Sequence, residues 1–147
     1  MNDDVRLKRY NEYQDKWKTQ IRENDKVTLD HIADYLEGKD QTQMTCLDLG
    51  CSTGNFLGHL RGRFPDLNLV GGDLAESSLE VCRSREDLKD VEISRIDITD
   101  IGRESSFDVI TVNVVLYLMD TEKLGRAIKS IHEALKPGGL LAISNAL

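Results

Sequence analysis

The sequence predicts an α/β domain: a three-layer sandwich in which helices cover both faces of a mostly parallel sheet. Three observations carry this. Short apolar runs of strand length alternate with segments of helical periodicity from Thr45 onward. A glycine-bounded turn, Gly50 to Gly54, joins the first such run directly to a helix. The chain has 147 residues, 39% of them apolar, and a chain of about 150 residues buries roughly 68–70% of its unfolded surface, enough for one core.

The first segment, Asp3 to Glu37, is charged and rich in helix formers. Its apolar residues Val5, Tyr10, Tyr13, Trp17 and Ile21, then Val27, Leu29, Ile32, Ala33 and Leu36, follow a spacing of three to four. Two amphipathic helices broken near Asn24-Asp25 and stopped at Gly38 are expected. They form an N-terminal extension or lid over residues 1–38, against a core of residues 39–147.

Thr45 to Leu49 reads as a buried strand, Asn55 to Phe64 as a helix stopped before Pro65, and Leu67 to Gly71 as a second strand ending near Asp73. Glu76 to Leu88 is a helix, Val91 to Ile96 a third strand, and Phe107 to Val115 a fourth. Thr121 to Leu135 is a crossover helix closed by the turn Lys136-Pro137-Gly138-Gly139, and Leu140 to Ser144 a fifth strand. Parallel strands joined by helices need right-handed crossovers, which bury the sheet on both faces.

Net charge is −7, with 26 acidic against 19 basic residues. No basic footprint for nucleic acid or anionic lipid exists, so neither is an expected partner. Cys46, Cys51 and Cys82 lack the spacing of a disulfide framework or a zinc site and read as buried thiols in a reducing compartment. The N-terminus MNDDVRLKRY has no apolar signal region, and the longest apolar stretch, near Val109 to Leu116, is far short of the ~20 residues that span a bilayer. A cytoplasmic protein without a metal site is the expectation.

In open parallel sheets ligands bind beyond the carboxyl ends of the strands, where the winding reverses. The loop there is Asp48-Leu49-Gly50-Cys51-Ser52-Thr53-Gly54-Asn55. Its glycines permit close backbone approach, and the helix that follows offers unpaired N–H groups. The dinucleotide spacing fails at Ser52 and Asn55, and the P-loop spacing fails because Gly38-Lys39 is followed by Asp40 and preceded by Ala33 where glycine is needed. Asp73 and Asp97 each end a strand, where a carboxylate either caps a turn or accepts ribose hydroxyls.

Leu47 to Leu57 resembles the first signature motif of class I S-adenosylmethionine-dependent methyltransferases. Val70-Gly71-Gly72-Asp73-Leu74-Ala75 is similar to their second-strand motif, and Ile96-Asp97-Ile98 to the adenine segment. Phe107 to Ile110 with Val114 to Leu118 is similar to the fourth-strand motif, and Ile131 to Leu141 to the turn into strand five. The resemblance covers about Thr45 to Ile143 in the family's order. It implies a Rossmann-like sheet of order 3-2-1-4-5, S-adenosyl-L-methionine as cofactor and S-adenosylhomocysteine as product. By the same resemblance, Asp48 takes the methionine amino group and Gly50, Cys51, Ser52 and Gly54 the rest of that tail. Asp73 and Leu74 sit at the ribose, Asp97 and Ile98 at the adenine, and Asn113 and Val114 near the sulfonium.

Transfer of a methyl group from a sulfonium to an O, N or C atom is an in-line displacement governed by alignment. No catalytic base is marked; the candidates are His31 and Tyr117, and Tyr10, Tyr13, Trp17 and Tyr117 are candidates for a substrate pocket. Asn113-Val114-Val115-Leu116 lacks the Asp/Asn-Pro-Pro-aromatic pattern of DNA amino-methylases and the Pro-Cys of pyrimidine methylases, which leaves a small-molecule acceptor. The family's final strands 6 and 7 are not found before Leu147, so the core reads as C-terminally truncated and strand five as an apolar edge. That edge keeps open a homodimer or partner subunit, and a second reading: a non-catalytic S-adenosylmethionine-binding or regulatory subunit pairing through strand five.

Overall fold

A computed structural model describes residues 3–113, 116 and 119–144, apart from the side chains of residues 7, 11, 14 and 17–19. Five strands, β1 (Thr45–Leu49), β2 (Asn68–Asp73), β3 (Glu92–Arg95), β4 (Phe107–Val112) and β5 (Leu135–Ile143), form one sheet. Its order is β3-β2-β1-β4-β5, and every neighbouring pair is parallel. Helices α1 (Asp3–Thr19), α2 (Glu23–Leu36), α3 (Asn55–Arg63), α4 (Glu76–Ser84) and α5 (Thr121–Ala134) flank it. The expected strand order and three-layer architecture are the observed ones.

Side-chain alternation along β1 divides the core. Cys46 joins Leu29, Ile32, Leu57, Leu60 and Leu79 of α2, α3 and α4 on one face, while Leu47 and Leu49 join Ile110, Val112, Ala127 and Ile131 on the α5 face. Leu57, Leu60, Ile32 and Leu47 are all fully buried. Each such side chain contributes about 1.5–3 kcal/mol of apolar burial, and truncating Leu57 to alanine would cost roughly 2–5 kcal/mol. Gly71 admits α3 to the sheet: a Cβ there would stand 2.5 Å from Leu57 Cδ1.

Three expectations shift. The break between the first two helices falls before Glu23, with Arg22 as the extended residue preceding α2, rather than at Asn24-Asp25. The fourth helix closes at Ser84, and Glu86–Leu88 forms a separate 3-10 turn. Strand five begins at Leu135: Lys136 to Gly139 bulge out of it, since Leu135 pairs with Phe107 and Leu140 with Val109. Gly138 takes φ 77° in that bulge, and its carbonyl accepts from Tyr35 Oη at 3.0 Å. Nearby, Asp108 Oδ2 accepts from the Thr45 amide at 2.9 Å and from Lys136 Nζ at 3.2 Å, which ties the amino ends of β1, β4 and β5. On the β5 edge Leu141 and Ile143 are exposed. Among the described residues no helix is long and apolar enough to cross a membrane.

Candidate functional site

The turn after β1 is strapped to the end of β2. Gly50, at φ 74°, and Cys51 both donate their amides to the Gly72 carbonyl, at 2.8 and 3.1 Å. Ser52 follows at φ 50° and donates its amide to Asp73 Oδ2 at 2.9 Å. Asp73 Oδ1 accepts from the Ala75 amide at 3.0 Å, so the carboxylate is held by two backbone donors. Each oxygen keeps a further lone pair for an incoming hydroxyl. Gly54, at φ 90°, precedes α3 in a left-handed conformation, and a Cβ there would lie 2.7 Å from Leu88 Cδ1. Both the backbone and the space require glycine.

Behind the turn, Arg85 donates to the Thr53 carbonyl at 3.2 Å and to Asn55 Oδ1 at 3.1 Å, while Asp87 holds the guanidinium by two bonds of 2.9 and 2.7 Å. Cys82 of α4 donates from Sγ to the Ser52 carbonyl at 3.0 Å. Cys51 Sγ reaches the same oxygen at 3.8 Å.

Asp48 is the chemical centre. The parallel register sets Asp48 opposite Thr111, and its Oδ1 accepts from Thr111 Oγ1 at 2.6 Å and from Asn113 Nδ2. Its Oδ2 is buried and has no hydrogen-bond partner among the described residues. Burial pushes its carboxyl up from 3.8 to about 7; the two donors oppose that shift, and Asp25 and Asp73 add to it.

A cavity of about 180 Å3 opens against Asp48, with Gly50, Cys51, Ser52, Asn55, Phe56 and Asn113 from the core and Tyr10, Arg22 and Asp25 from the N-terminal helices. Tyr10 Oη lies 3.1 Å from Ser52 Oγ. Burial raises the Asp25 carboxyl, opposed by Arg22 and His59. The wall thus offers the Asp48 carboxyl, a second carboxylate and a guanidinium within one small cavity. That set suits a group bearing both an ammonium and a carboxylate.

Of the residues singled out by sequence, Asp48, Gly50, Cys51, Ser52, Asn113 and Tyr10 line this cavity. Asp73 and Gly54 shape the turn without lining it. Asp97 lies two residues past β3, exposed and turned onto Thr99, from whose amide and hydroxyl it accepts at 2.9 and 2.7 Å; those bonds hold its carboxyl below the usual range. Leu74 is exposed and Ile98 buried. Tyr13 stacks beneath the Arg22 guanidinium at 4.9 Å. His31 is exposed in a separate groove between α2 and β5. Val114, Tyr117 and the Trp17 side chain lie outside the described residues.

Sequence reasoning missed Arg22, Asp25, Thr111 and Arg85. The charged pair beside the helix break was the only signal for the first two. Thr111 was hidden inside the most apolar strand, and Arg85 in what reads as continuous helix.

A family model described as a methyltransferase domain matches residues 46–139. The chain belongs to the class I S-adenosylmethionine-dependent methyltransferases. This methyltransferase chain is 35% identical over 114 residues to the dTDP-3-amino-3,4,6-trideoxy-alpha-D-glucopyranose N,N-dimethyltransferase of Streptomyces venezuelae, covering 76% of this chain and 46% of that one. It is also 35% identical over 115 residues to the carboxy-S-adenosyl-L-methionine synthase of Trichodesmium erythraeum, covering 73% and 44%. It therefore spans under half the length of those two relatives. The fold matches that of S-adenosylmethionine-bound CalS10, an amino pentose methyltransferase from Micromonospora echinaspora, with TM-score 0.69 and 22% identity over 92% of this chain and 56% of that one.

Proposed function

We propose that the chain is the cofactor-binding core of an enzyme that transfers a methyl group from S-adenosylmethionine to an O, N or C atom of a small-molecule acceptor. The buried Asp48 carboxyl, whose Oδ2 has no hydrogen-bond partner among the described residues, in the same cavity as Arg22 and Asp25 carries this reading. A carboxylate kept dry without a donor is costly unless a ligand completes it. S-adenosylmethionine, when bound, supplies a methyl group on a positively charged sulfur. The protein's part is alignment, and holding reactants in near-attack geometry contributes ~7–11 kcal/mol.

In this reading Asp48 and Asp25 take the ammonium of the methionine tail and Arg22 its carboxylate. The backbone of Gly50 to Gly54 carries the chain between them. Asp73, oriented by the Ser52 and Ala75 amides, receives the ribose hydroxyls, and Leu74 flanks the sugar. Asp97 and the Ile98 amide serve the adenine, and Asn113 and Val114 stand beside the sulfonium. Residues 1–38 act as a lid on the core of 39–147, supported by the Tyr10–Ser52 contact. His31 and Tyr117 remain the candidates for a base, and Tyr13, Trp17 and Tyr117 for an acceptor wall.

The amino-sugar chemistry in the names of two similar proteins supports a small-molecule acceptor. A cytoplasmic site of action is part of the same proposal. The exposed Leu141 and Ile143 on the β5 edge support pairing with a second copy or a partner subunit, which sedimentation would read. Calorimetric titration with S-adenosylhomocysteine tests the cofactor site: micromolar binding lost in D73A and D48N supports it, and no binding by folded protein removes it. Labelled methyl transfer to a panel of amino sugars, carboxylic acids and phenols then tests the reaction.

A further inference from the structure

We infer that Cys51 and Cys82 form an oxidisable dithiol that closes the cofactor site by joining into a disulfide. Both sulfurs converge on one atom, the Ser52 carbonyl oxygen, at 3.8 and 3.0 Å. The neighbouring Cys51 thiol, and after it the Arg85 guanidinium, draws the Cys82 thiol down against the opposing effect of burial. The third cysteine, Cys46, is fully buried in β1 and has no part in this contact.

The two thiols differ in access. Cys51 lines the cavity beside Asp48, whereas Cys82 is sealed beneath the turn. A small peroxide entering the cavity meets Cys51 first. Its sulfur attacks one peroxide oxygen: an S–O bond forms, the O–O bond breaks, and water leaves with the thiol proton. Cys82 sulfur then attacks the resulting sulfenic acid at Cys51, forming the S–S bond and releasing the hydroxyl as a second water. Two thiols are oxidised and one peroxide is reduced.

The consequence lies in the turn. To join, the two sulfurs must close to about 2.05 Å, and Cys51 sits between two residues of positive φ, Gly50 and Ser52. Drawing its side chain toward α4 loads the amide bonds to Gly72 and the Ser52–Asp73 bond, the contacts that orient the cavity and the ribose carboxylate. This effect rests on the cofactor reading above, while the pairing itself does not.

The test treats the reduced chain with hydrogen peroxide and reads intact mass, a cysteine peptide map and S-adenosylhomocysteine affinity, before and after dithiothreitol. Expected are loss of two hydrogens, a Cys51–Cys82 linked peptide, and a fall in affinity of about tenfold or more that the dithiol reverses. C82S, which keeps a donor for the Ser52 carbonyl, should lose the reversible response. Thiols left unpaired, Cys51 carried on to sulfinic acid, or a disulfide that leaves affinity unchanged would each overturn the inference alone. Reduced protein that binds no S-adenosylhomocysteine would overturn the functional reading and the switch together, with the peptide map still judging the pairing.

Discussion

The Ser52 amide donates to Asp73 Oδ2 at 2.9 Å, so the turn after β1 and the acid ending β2 are one unit. The acid is aimed before any ligand arrives. Its removal both deletes the acceptor and releases the turn.

D73A should therefore weaken S-adenosylhomocysteine binding by at least ~30-fold, since bonds to a charged acceptor contribute about 1.5–3 kcal/mol each. D73N, which keeps one carbonyl acceptor, should fall between D73A and the parent. Calorimetry reads both, and an unchanged affinity in D73A would sink the ribose assignment.

Arg22 and Asp25 can be separated from the nucleoside contacts by choice of ligand. R22A should lower affinity for S-adenosylhomocysteine by roughly 10- to 100-fold and leave 5′-methylthioadenosine, which lacks the amino-acid tail, nearly unaffected. Equal losses for both ligands would place Arg22 elsewhere.

The Asp48 carboxyl gives a pH signature. It titrates near 3.8 when unfolded and about 7 when folded, so between those values the native state holds a proton that the unfolded chain has lost. Its contribution is fully present below 3.8, fades as pH rises through the window, and is absent above about 7. Urea unfolding at a series of pH values should show that decline, reduced in D48N; the raised Asp25 carboxyl adds a slope of the same sign in both proteins. An ammonium beside Asp48 favours its ionised form, so S-adenosylhomocysteine binding below pH 7 should take place with proton release.

Two glycines should respond oppositely to alanine. At Gly54 the left-handed φ and the nearness of Leu88 make G54A destabilising by about 1–3 kcal/mol, a fall of several degrees in Tm. Gly125 lies exposed inside α5 with open space around its Cβ position. G125A should stabilise by roughly 0.5–1 kcal/mol. Thermal denaturation distinguishes them, and a neutral G54A would contradict the strained turn.

Much of the sheet was legible because apolar strand runs and helical spacing are local signals. The boundaries of β1 coincide with the apolar run Thr45–Leu49, and Gly50 and Gly54 announced the turn. The bulge at Lys136 to Gly139 was not legible: a Pro-Gly-Gly cluster reads as a chain reversal, and only pairing with β4 reveals a detour within one strand. Within the site, Asp48 stood out by its place in the motif. Its open oxygen depends on how Thr111 and Asn113, more than sixty residues away, divide their donors, and no local pattern reports that. Arg22 and Asp25 escaped for the same reason, since their role comes from where the N-terminal helices rest.

Because all five strands run the same way, Asp48, Gly50, Asp73 and Asn113 gather on one rim, and the Thr45–Asp108–Lys136 knot closes the opposite one. The domain thus has a working end and a handle: cross-links, fusions or surface immobilisation placed near Lys136 can grip the molecule without disturbing its chemistry.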